Sequence, residues 1–471
     1  MDTQDMPTSS VTKALLQKYN TAGPRYTSYP TAPVWQDSYN ADVHEQVVRE
    51  TNRLTQPNPH PLSLYAHLPF CEQRCLFCGC NVVITKQRDQ AEKYLGYLFK
   101  EMETVAGWMD RSRPVVQFHW GGGTPTYLSE EQMERLFRFQ TSLFTLAPHA
   151  EVAIEVDPRV TTLSQLDVLK DLGFNRISLG VQDFNPQVQE AIHRVQPLDM
   201  TAKTVEHCRK LGFEGLNFDL IYGLPHQTVE SFEKSVQEVI ALSPDRIALY
   251  SYAHVPWLSP HQNQIPEAAL PETETKFRIL QTALTLLTEA GYLYIGMDHF
   301  AKPQDELGQA LQTGALHRNF MGYTVQQGPL PSDLYGFGVS AISGLQGHFA
   351  QNWRKLSQYY EALDENRIPV MRGYVLSDED RLRQQVILGI LCQGRVDYAH
   401  FNDAFGIDFK THFADALTQL TQMAQDGLVE LQETGMTVTP VGRMFSRNIA
   451  MPFDAYLPKM GGDKPTFSKT V

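Results

Sequence analysis

Four of the six cysteines lie within ten positions, in the stretch CEQRCLFCGC that spans residues 71–80. Cys71, Cys75 and Cys78 have the spacing C-x3-C-x2-C, which lets one loop bring three thiolates to a single inorganic core. Iron–sulfur clusters are normally held by four thiolates, so a site with three leaves one iron able to bind a small molecule. The fourth thiol, Cys80, either closes the site, binds nothing or points into the pocket as a catalytic group.

Zinc and free thiols are the alternative interpretations of this cluster. A tetrahedral zinc site would use all four cysteines, although structural zinc usually draws its ligand pairs from two separated knuckles. A set of buried free thiols explains so tight a cluster poorly. Cys208 and Cys392 stand alone on helical stretches and are interpreted as small core residues. The spacing therefore favours an iron–sulfur site.

Polar residues follow each of six predicted strands. Between about residue 60 and residue 255, short β-branched or aromatic runs alternate with helical periodicity, which is typical of βα units around a parallel sheet. The predicted strands are LSLYAHL, VVQFHW, VAIEV, RISLGV, LNFDLIY and RIALYSY. The polar residues at their ends are Cys71, Gly121 to Thr124, Glu155 with Asp157, Gln182, Asp219 and His254. Parallel barrels carry their active sites at these strand ends, so we expect the six positions to share one mouth. Six units predict an incomplete barrel, although a doubly wound sheet shows the same alternation.

Glycine-rich and aromatic residues near the cysteines predict a ligand pocket. Gly121, Gly122 and Gly123 precede Thr124, and glycines allow close approach of the main chain to a ligand. We expect their N–H and C=O groups to be free to bind it. Phe77 and Tyr65 are either core aromatics or apolar walls of the pocket.

The C-terminal part of the chain predicts a small domain. Two helical stretches precede VELQETGMTVTPVGRMF, which predicts a hairpin around Glu433-Thr434-Gly435. Helices followed by such a hairpin indicate a winged-helix-like domain. Its helices are acidic, which favours a packing or lid role over nucleic-acid recognition.

The whole chain, of 471 residues with a formal net charge of −13, limits the partners that are expected. This charge disfavours nonspecific attraction to nucleic acid or to anionic membranes. The first ten residues lack the features of a signal peptide, and no apolar run is long enough to cross a bilayer. We therefore predict a cytoplasmic location, where the cysteines stay reduced and a metal site is favoured over disulfides.

The pattern C-x3-C-x-F-C together with GGGTP resembles the radical S-adenosylmethionine (SAM) superfamily. In that superfamily the three-cysteine loop holds a 4Fe-4S cluster, and SAM chelates the fourth iron. Further blocks are similar to the oxygen-independent coproporphyrinogen III oxidase family over nearly the whole chain: GPRYTSYPTA, HLPFCEQRCLFCGCN, HWGGGTPTYL, IEVDPR, GVQDFNPQVQ, DLIYGLP, GMDHFAKPQDEL, LHRNFMGYT and YGFGVSAIS.

This resemblance implies oxidative decarboxylation of two propionate side chains of coproporphyrinogen III to vinyl groups, which gives protoporphyrinogen IX in haem biosynthesis. A β C–H of a propionate is too weak an acid for a side-chain base, so a cofactor-derived radical must abstract the hydrogen. The resemblance implies that this is the 5′-deoxyadenosyl radical. The alternatives are a haem chaperone with the same barrel and a haem-modifying radical SAM paralogue. Cys80 and the RYTSYPTA segment favour the oxidase.

The resemblance also implies roles for individual residues. The cluster ligands would be Cys71, Cys75 and Cys78. The SAM bound to the cluster would contact Tyr65, Gly122, Glu155 and Ile342. A second SAM molecule would contact Phe77, Gly123, Thr124, Gln182, Arg194, Asp219 and Ala253. The expected catalytic residues are Cys80 and Tyr65, and the expected substrate contacts are Arg25, Tyr26 and Tyr29. Met321 departs from the family pattern, which has glutamine after HRNF, so a side-chain hydrogen bond assigned there does not carry over.

We predict three domains from these patterns. An N-terminal arm, residues 1–55, would cover the mouth of a (β/α)6 barrel, residues 56–365 would form that barrel and its extension, and residues 366–471 would form the C-terminal helical domain. The expected partners are the porphyrinogen substrate and an electron donor such as a flavodoxin-type protein. No nucleic acid, membrane or second copy of the chain is expected as a partner.

Overall fold

The computed structural model describes residues 12–54, 60–328, 330–460 and 466–470. The chain divides into two compact units. The helical unit comprises Met1–Trp35, Thr273–Gln326 and Leu376–Val471, and the barrel unit comprises Gln36–Glu272 and Gln327–Val375. The predicted domain boundaries at residues 55 and 365 stay a prediction.

The barrel unit alternates strands and helices, as the sequence predicts. Its strands are β1 (Leu62–Leu68), β2 (Phe70–Cys71), β3 (Val83–Ile84), β4 (Val115–Gly122), β5 (Leu146–Val156), β6 (Arg176–Gln182), β7 (Gly215–Tyr222), β8 (Arg246–Ser251), β13 (Asp333–Phe337), β14 (Ile342–Leu345), β15 (His348–Asn352) and β16 (Val370–Val375). Its α-helices are α2 (Ala41–Leu54), α3 (Asp89–Ala106), α4 (Glu130–Leu143), α5 (Leu163–Asp171), α6 (Pro186–Ala191), α7 (Leu198–Leu211), α8 (Val229–Leu242) and α11 (Leu356–Asp364). Short 3-10 helices span Pro125–Tyr127, Pro260–Gln264 and Glu267–Ala269.

The main sheet of this unit is open and has a parallel core. Its strands follow the order β16-β15-β14-β13-β1-β4-β5-β6-β7-β8. All neighbours from β13 to β8 pair in parallel, whereas β14, β15 and β16 add antiparallel strands beyond β13. The six predicted strands are confirmed, and β13 joins them as a parallel strand that the sequence patterns did not predict. The core of β1 is buried on both faces, which explains its nearly continuous apolar run.

Capped helices return the chain to the next strand. Ser129 and Gln132 form a capping box at the start of α4, and capping boxes also begin α5 and α8. The side-chain oxygens accept from backbone N–H groups that would otherwise lack partners in the first helical turn. Gly212 ends α7 in the left-handed conformation, with φ of 76°. These ends fix where each strand begins, and so which residues reach the carboxyl edge of the sheet.

The helical unit contains the C-terminal segment and two shorter parts of the chain. Its α-helices are α1 (Lys13–Tyr19), α9 (Thr273–Glu289), α10 (Glu306–Thr313), α12 (Asp378–Leu388), α13 (Tyr398–Phe405), α14 (Phe409–His412), α15 (Ala414–Gln425) and α16 (Ser446–Ala450). Its strands are β9 (Leu293–Gly296), β10 (His299–Ala301), β11 (Leu316–Asn319), β12 (Gly322–Val325), β17 (Arg395–Asp397), β18 (Val429–Leu431) and β19 (Gly435–Val438). A π-helix spans Gly389–Gln393, and 3-10 helices span Ala32–Val34, Gly442–Phe445, Met451–Phe453 and Leu457–Lys459.

The predicted C-terminal hairpin is confirmed. Strands β18 and β19 pair antiparallel on either side of Gln432–Thr434, and β17 pairs with the outer side of β19. Helices α13, α14 and α15 precede the hairpin, which is the arrangement expected of a winged-helix-like domain. Cys392 is buried in the core of this unit, as predicted, and Cys208 is buried in the barrel unit. Among the described helices, none combines the length and apolar character needed to cross a membrane.

Candidate active site

The four clustered cysteines lie on or directly after β2, in a loop that begins at β2 and closes where β3 pairs with it. Thr85 N–H donates to the Cys71 carbonyl (3.0 Å), and Leu76 N–H donates to the Ile192 carbonyl (3.0 Å). On another side, His261 Nε2 lies 2.7 Å from the carbonyl oxygen of Cys78. The backbone of the loop is therefore held on several sides, which fixes the directions of its sulfur atoms.

Each of the three predicted ligand sulfurs has a polar neighbour. Cys71 Sγ lies 3.3 Å from Thr124 Oγ1. Cys75 Sγ accepts from two guanidinium groups, Arg159 Nη2 at 3.4 Å and Arg194 Nη1 at 3.7 Å. Cys78 accepts a hydrogen bond from the Cys80 thiol, which lowers the pKa of Cys78 to about 6. These donors stabilise negative charge on sulfur.

The thiols differ in how readily they lose a proton. Burial raises the pKa of Cys71 to about 11, whereas Cys78 is a thiolate at neutral pH. The hydrogen bond to Cys78 raises the pKa of Cys80 well above its ordinary value. Because thiolates bind metal and thiols do not, binding at Cys71 must release a proton. The Cys80 thiol therefore keeps its proton and donates a hydrogen bond to the predicted ligand Cys78.

The donor set fits an iron–sulfur cluster better than a single ion. Among the described residues, no three His, Cys, Asp or Glu side chains converge closely enough to hold one metal ion. A tetrahedral zinc ion would need its thiolates around one point. A 4Fe-4S cube offers each thiolate a separate iron, so its ligands stand further apart. Three sulfurs on one braced loop, with cationic donors beside one of them, suit the cube.

Glu155 forms a wall of the site with residues of β4. Its Oε2 accepts from Gly122 N–H (2.9 Å), and its Oε1 lies 3.5 Å from His119 Nε2. Burial raises the pKa of Glu155, but the hydrogen bond and charge of His119, together with Gly122 N–H, outweigh it and hold the pKa below its ordinary value. Glu155 is therefore ionised at neutral pH and suited to an ammonium or hydroxyl group.

Tyr65 lies on the neighbouring strand. Its ring stacks on His119 with centroids 5.9 Å apart, and its hydroxyl lies 3.0 Å from His67 Nδ1. Burial raises the pKa of Tyr65 well above its ordinary value, so the hydroxyl keeps its proton at neutral pH. Two of the four residues predicted to contact the SAM at the cluster, Tyr65 and Glu155, thus share His119 as a neighbour.

The glycine run is closely packed against its own chain. A Cβ on Gly121 would lie 2.8 Å from Glu155 Oε1, and one on Gly122, whose φ is 119°, would lie 2.6 Å from the His67 ring. Gly122 N–H donates to Glu155, and Gly123 N–H donates to the Leu68 carbonyl (2.9 Å). The expectation of free N–H groups is therefore wrong for these two residues. Their glycine identity is required by side chains and backbone that approach them closely.

Asp157 is the centre of a second polar group, at the end of β5. Its Oδ2 accepts from Arg194 Nη1 (3.0 Å) and from Arg159 Nη2 (2.7 Å). Burial raises the pKa of Asp157, but Arg194 and Arg159 outweigh it and hold the pKa below its ordinary value. Arg194 Nη2 also donates to the Gly180 carbonyl (2.6 Å), which fixes the orientation of its guanidinium group.

Gln182 and Asp219 lie on the next two strands. Gln182 ends β6 in the left-handed region, with φ of 68°. Asp219 lies within β7, where it accepts from Asn217 Nδ2 (3.0 Å). Burial and then the charge of Glu155 raise the pKa of Asp219 to about 7. The charge of Glu155 therefore affects the ionisation of Asp219, although Asp219 lies inside β7 and not at its end as predicted.

The remaining predicted contacts in this unit are apolar or line a cavity. Phe77 is half-buried against an apolar cluster that includes Leu76 and Tyr252, and its carbonyl accepts from Gln262 Nε2 (3.2 Å). Ala253 follows β8, and Ile342 begins β14. A cavity of about 600 Å³ has Cys71, Thr124, Asp157 and Arg159 on its wall. Solvent therefore reaches the region beside a predicted cluster ligand.

Arg25, Tyr26 and Tyr29 lie in the helical unit and have partners there. Arg25 forms an ion pair with Asp298. The Tyr26 hydroxyl donates to Asp454 Oδ2 (3.1 Å), and the Tyr29 hydroxyl accepts from Ala455 N–H (3.0 Å). Both tyrosine side chains are buried.

Comparison with known proteins identifies the family. A model of the radical SAM superfamily matches residues 65–239, and one of the HemN C-terminal domain matches residues 376–445. The oxygen-independent coproporphyrinogen III oxidase of Synechocystis sp. is 44% identical over 459 residues, which cover 97% of each chain. The chain belongs to the oxygen-independent coproporphyrinogen III oxidase family. The Escherichia coli protein of the same name is 45% identical over 94% of this chain and 95% of its own.

A solved structure, described as coproporphyrinogen III oxidase (HemN) from Escherichia coli, a radical SAM enzyme, gives a TM-score of 0.87 at 43% identity. The match covers 94% of this chain and 99% of that one. The protein is thus a radical SAM enzyme, and this membership implies a 4Fe-4S cluster and SAM. It favours the oxidase over the haem chaperone and over the haem-modifying paralogue.

Several residues that bear on this oxidase family site were not singled out from the sequence. They are His67, His119, Arg159 and His261. His67 on β1 lies two residues from Tyr65, and His119 on β4 lies two residues from Gly121, so each histidine is on the same face of its strand as a predicted site residue. This two-residue period is a signal that could have found them. Arg159 ends the IEVDPR block. His261 has no comparable signal, because its contact with the Cys78 carbonyl crosses 183 positions of the chain.

Proposed function

We propose that this protein catalyses the oxygen-independent oxidative decarboxylation of coproporphyrinogen III to protoporphyrinogen IX in haem biosynthesis. The observation that carries the proposal is the braced three-cysteine loop, with cationic donors to Cys75 Sγ, in a chain 44% identical to a named oxidase over nearly its full length. When bound, a 4Fe-4S cluster and SAM supply the 5′-deoxyadenosyl radical that abstracts a β hydrogen from a propionate.

The residues of this chain bind and orient the reactants. Cys71, Cys75 and Cys78 would hold the cluster, and Glu155, ionised at neutral pH, would accept from the SAM ammonium or a ribose hydroxyl. Tyr65, Gly122 and Ile342 would complete this contact. We propose Tyr65 and Cys80 as the catalytic residues, and both keep their protons at neutral pH because their pKa values are raised.

We further propose that a second SAM molecule binds beside the first. Support comes from Arg194, whose guanidinium is held by Asp157 and the Gly180 carbonyl, and from Asp219, whose raised pKa suits a carboxyl group that can donate as well as accept. The other proposed contacts are Phe77, Gly123, Thr124, Gln182 and Ala253. Equilibrium dialysis of the reduced holoprotein with labelled SAM tests this proposal. Two SAM per chain in the wild type and one in Arg194→Met support it, whereas one in both contradicts it.

Arg25, with Tyr26 and Tyr29 beside it, is proposed to contact the propionates of the substrate. Its side chain is 34% exposed, and its charge suits a carboxylate. Arg25→Ala should raise KM for coproporphyrinogen III or abolish turnover, with iron content intact. Asp298→Asn is the matched control, since it breaks the same ion pair and leaves the arginine. Unchanged kinetics in Arg25→Ala, or an equal defect in the control, would reject substrate contact.

The remaining proposals concern the cellular setting. We propose a cytoplasmic, monomeric enzyme reduced by a protein electron donor of the flavodoxin type. The cavity beside Cys71 supports access from outside to a cluster ligand. Anaerobic reduction assays with a flavodoxin and its reductase, compared with the reductase alone, test the donor class, and light scattering tests the monomer.

The reaction itself is tested by anaerobic incubation of reconstituted protein with SAM, reductant and coproporphyrinogen III. Chromatography should reveal 5′-deoxyadenosine and a product lacking two carboxyl groups. Stoichiometric haem binding without a vinyl product would replace the oxidase by a chaperone. A modified haem of new mass would indicate the paralogue.

A further inference from the structure

Arg159 is a half-buried arginine whose donors face several acceptors in the barrel unit. Its Nη2 lies 3.4 Å from Cys75 Sγ, and its Nη1 donates to the His193 carbonyl (3.3 Å). Its Nε and Nη2 donate to Asp157, at 3.0 Å to Oδ1 and 2.7 Å to Oδ2. The side chain is 16% exposed. This bidentate grip holds the fork in one orientation.

The local backbone prepares this orientation. Pro158 separates Asp157 from Arg159, and Arg159 N–H donates to Asp157 Oδ1 (3.0 Å) across a tight turn. The turn directly follows β5, so the arginine starts at the carboxyl edge of the sheet. The side chain then has little freedom, because its carboxylate partner is only two positions away.

Arg159, Arg194 and Asp157 together leave a net positive charge beside Cys75 Sγ. One carboxylate, Asp157, pairs with two guanidinium groups, those of Arg159 and Arg194, and both guanidinium groups also point at Cys75 Sγ. If Asp157 needed only a counterion, Arg194 would suffice. The second arginine supplies a positive charge that the carboxylate does not balance, directly beside a predicted cluster ligand.

We infer that Arg159 is a positioning residue that raises the reduction potential of the cluster by donating a charged N–H hydrogen bond to the Cys75 sulfur. This rests on the proposed cluster at Cys71, Cys75 and Cys78. Reduction adds one negative charge to the cluster and its thiolates, so a fixed cationic donor stabilises the reduced form more than the oxidised form. Hydrogen bonds to the sulfurs and nearby charge are established determinants of such potentials.

The same geometry predicts how substitutions differ. Arg159→Met removes both charge and donor. Arg159→Lys keeps a charge but loses the planar fork that reaches Asp157 and Cys75 together. We expect the reduction equilibrium of the cluster to become about tenfold less favourable in Arg159→Met, which is about 59 mV for a one-electron couple. Arg159→Lys should recover part of this shift.

The test is an EPR-monitored redox titration of the reconstituted holoprotein without SAM. Iron and sulfide content are measured for each variant, and Arg135→Met, which removes a surface arginine of the same unit, is the matched control. A lowered potential in Arg159→Met, partial recovery in Arg159→Lys and no shift in Arg135→Met support the inference. A potential equal to that of the wild type in Arg159→Met, with full iron content, overturns it.

A second measurement tests the inference if Arg159→Met fails to assemble its cluster. In the wild type, ENDOR of the reduced cluster in H2O and in D2O reports exchangeable protons near the sulfurs. Comparison with Arg159→Lys should show loss of one such coupling, and unchanged couplings would overturn the inference. Failure of the proposed function is recognised separately, because it requires that wild-type protein makes no decarboxylated product.

Discussion

The carboxyl edge of the barrel unit and the segment around Arg25 in the helical unit use the same residue types differently. At the barrel edge, Arg159 and Arg194 direct N–H groups at the Cys75 sulfur while a carboxylate holds them. In the helical unit, Arg25 pairs with Asp298, and Tyr26 donates to buried Asp454. In the first region, charged side chains contact a cluster of thiols. In the second region, these charged and polar side chains contact carboxylates.

This difference shows which polar residues serve chemistry. An arginine that pairs with one carboxylate has its charge balanced within the protein, whereas two arginines on one carboxylate leave charge for another group. Burial alone does not separate the regions, since Tyr26 and Arg194 are both buried. The regions differ in the partners of their polar side chains, and substitutions in each region should therefore have different consequences.

The largest expected effect is loss of the cluster at the barrel edge. Cys75→Ser should remove the iron–sulfur absorbance and abolish SAM cleavage, because three thiolates are the minimum that leaves one iron for SAM. Cys208→Ala, a buried cysteine on α7, is the matched control and should keep its iron. Iron analysis and 5′-deoxyadenosine assays check both. Retained iron and SAM cleavage in Cys75→Ser would remove the chemical contrast between the two regions.

A smaller effect is expected for the carboxylate wall. Glu155→Gln should weaken SAM binding by about 10- to 100-fold, the range for a lost hydrogen bond between charged groups, while the cluster remains. The exposed Glu134→Gln, on α4, is the control. Equilibrium binding of SAM to the reduced holoprotein measures the effect. Equal affinity in Glu155→Gln and wild type would show that Glu155 does not contact SAM.

Loss of the Tyr26 hydroxyl in the helical unit should reduce the stability of the protein. Tyr26→Phe removes the hydroxyl that donates to buried Asp454, which should lower the free energy of unfolding by about 1 to 2 kcal/mol. KM for coproporphyrinogen III should change little, since the ring remains. Tyr97→Phe, whose exposed hydroxyl donates to Asp364, should have a smaller effect on unfolding. A raised KM without loss of stability would place Tyr26 with the catalytic residues.

The smallest functional effect is expected at Glu101, a buried carboxyl group on α3 that is not among the proposed site residues. Burial raises its pKa to about 7, and hydrogen bonds from Tyr359, Gly338 and Asn352 offset this effect only in part. A carboxyl pKa that is raised on folding makes the folded form lose stability as pH rises from about 4.5 to about 7. Glu155, whose side chain is 42% exposed, has a lowered pKa because the hydrogen bond and charge of His119, together with Gly122 N–H, outweigh the effect of desolvation.

Glu101→Gln should therefore remove this part of the pH dependence. Thermal unfolding followed between pH 5 and pH 8, in steps of about half a unit, gives the comparison. The stability of the wild type relative to the variant should fall with rising pH over that window. A difference that is independent of pH would contradict the assignment of a neutral Glu101.

The sequence predicted the parallel core well because its information is local. Each of the six strands is a largely buried apolar run, and five of the runs appear in the structure within two residues of their predicted ends, whereas β5 begins six residues earlier than predicted, at Leu146. The strand β13 was not predicted because its partner β1 lies far upstream in the chain and because its own run, DLYGF, is short. Periodicity describes neighbours in sequence and gives no information about such distant pairing.

The candidate site was predicted in its residue types but not in its contacts. The glycine N–H groups were expected to be free, yet Gly122 N–H is taken by Glu155, 33 positions away. Arg159 lay in a block that the family resemblance covers, but its contact with Cys75 crosses 84 positions. Such long-range partners decide charge and pKa, and they are fixed only when the strands assemble.

The central claim is that three sulfurs hold a cluster whose fourth iron binds SAM. ENDOR of the reduced holoprotein with SAM labelled with ¹⁷O and ¹⁵N in its amino acid group tests it most directly, in the wild type and in Cys80→Ser. We predict coupling of both labels to the cluster in both proteins. Absence of coupling in the wild type, or loss of the cluster in Cys80→Ser, would contradict the claim.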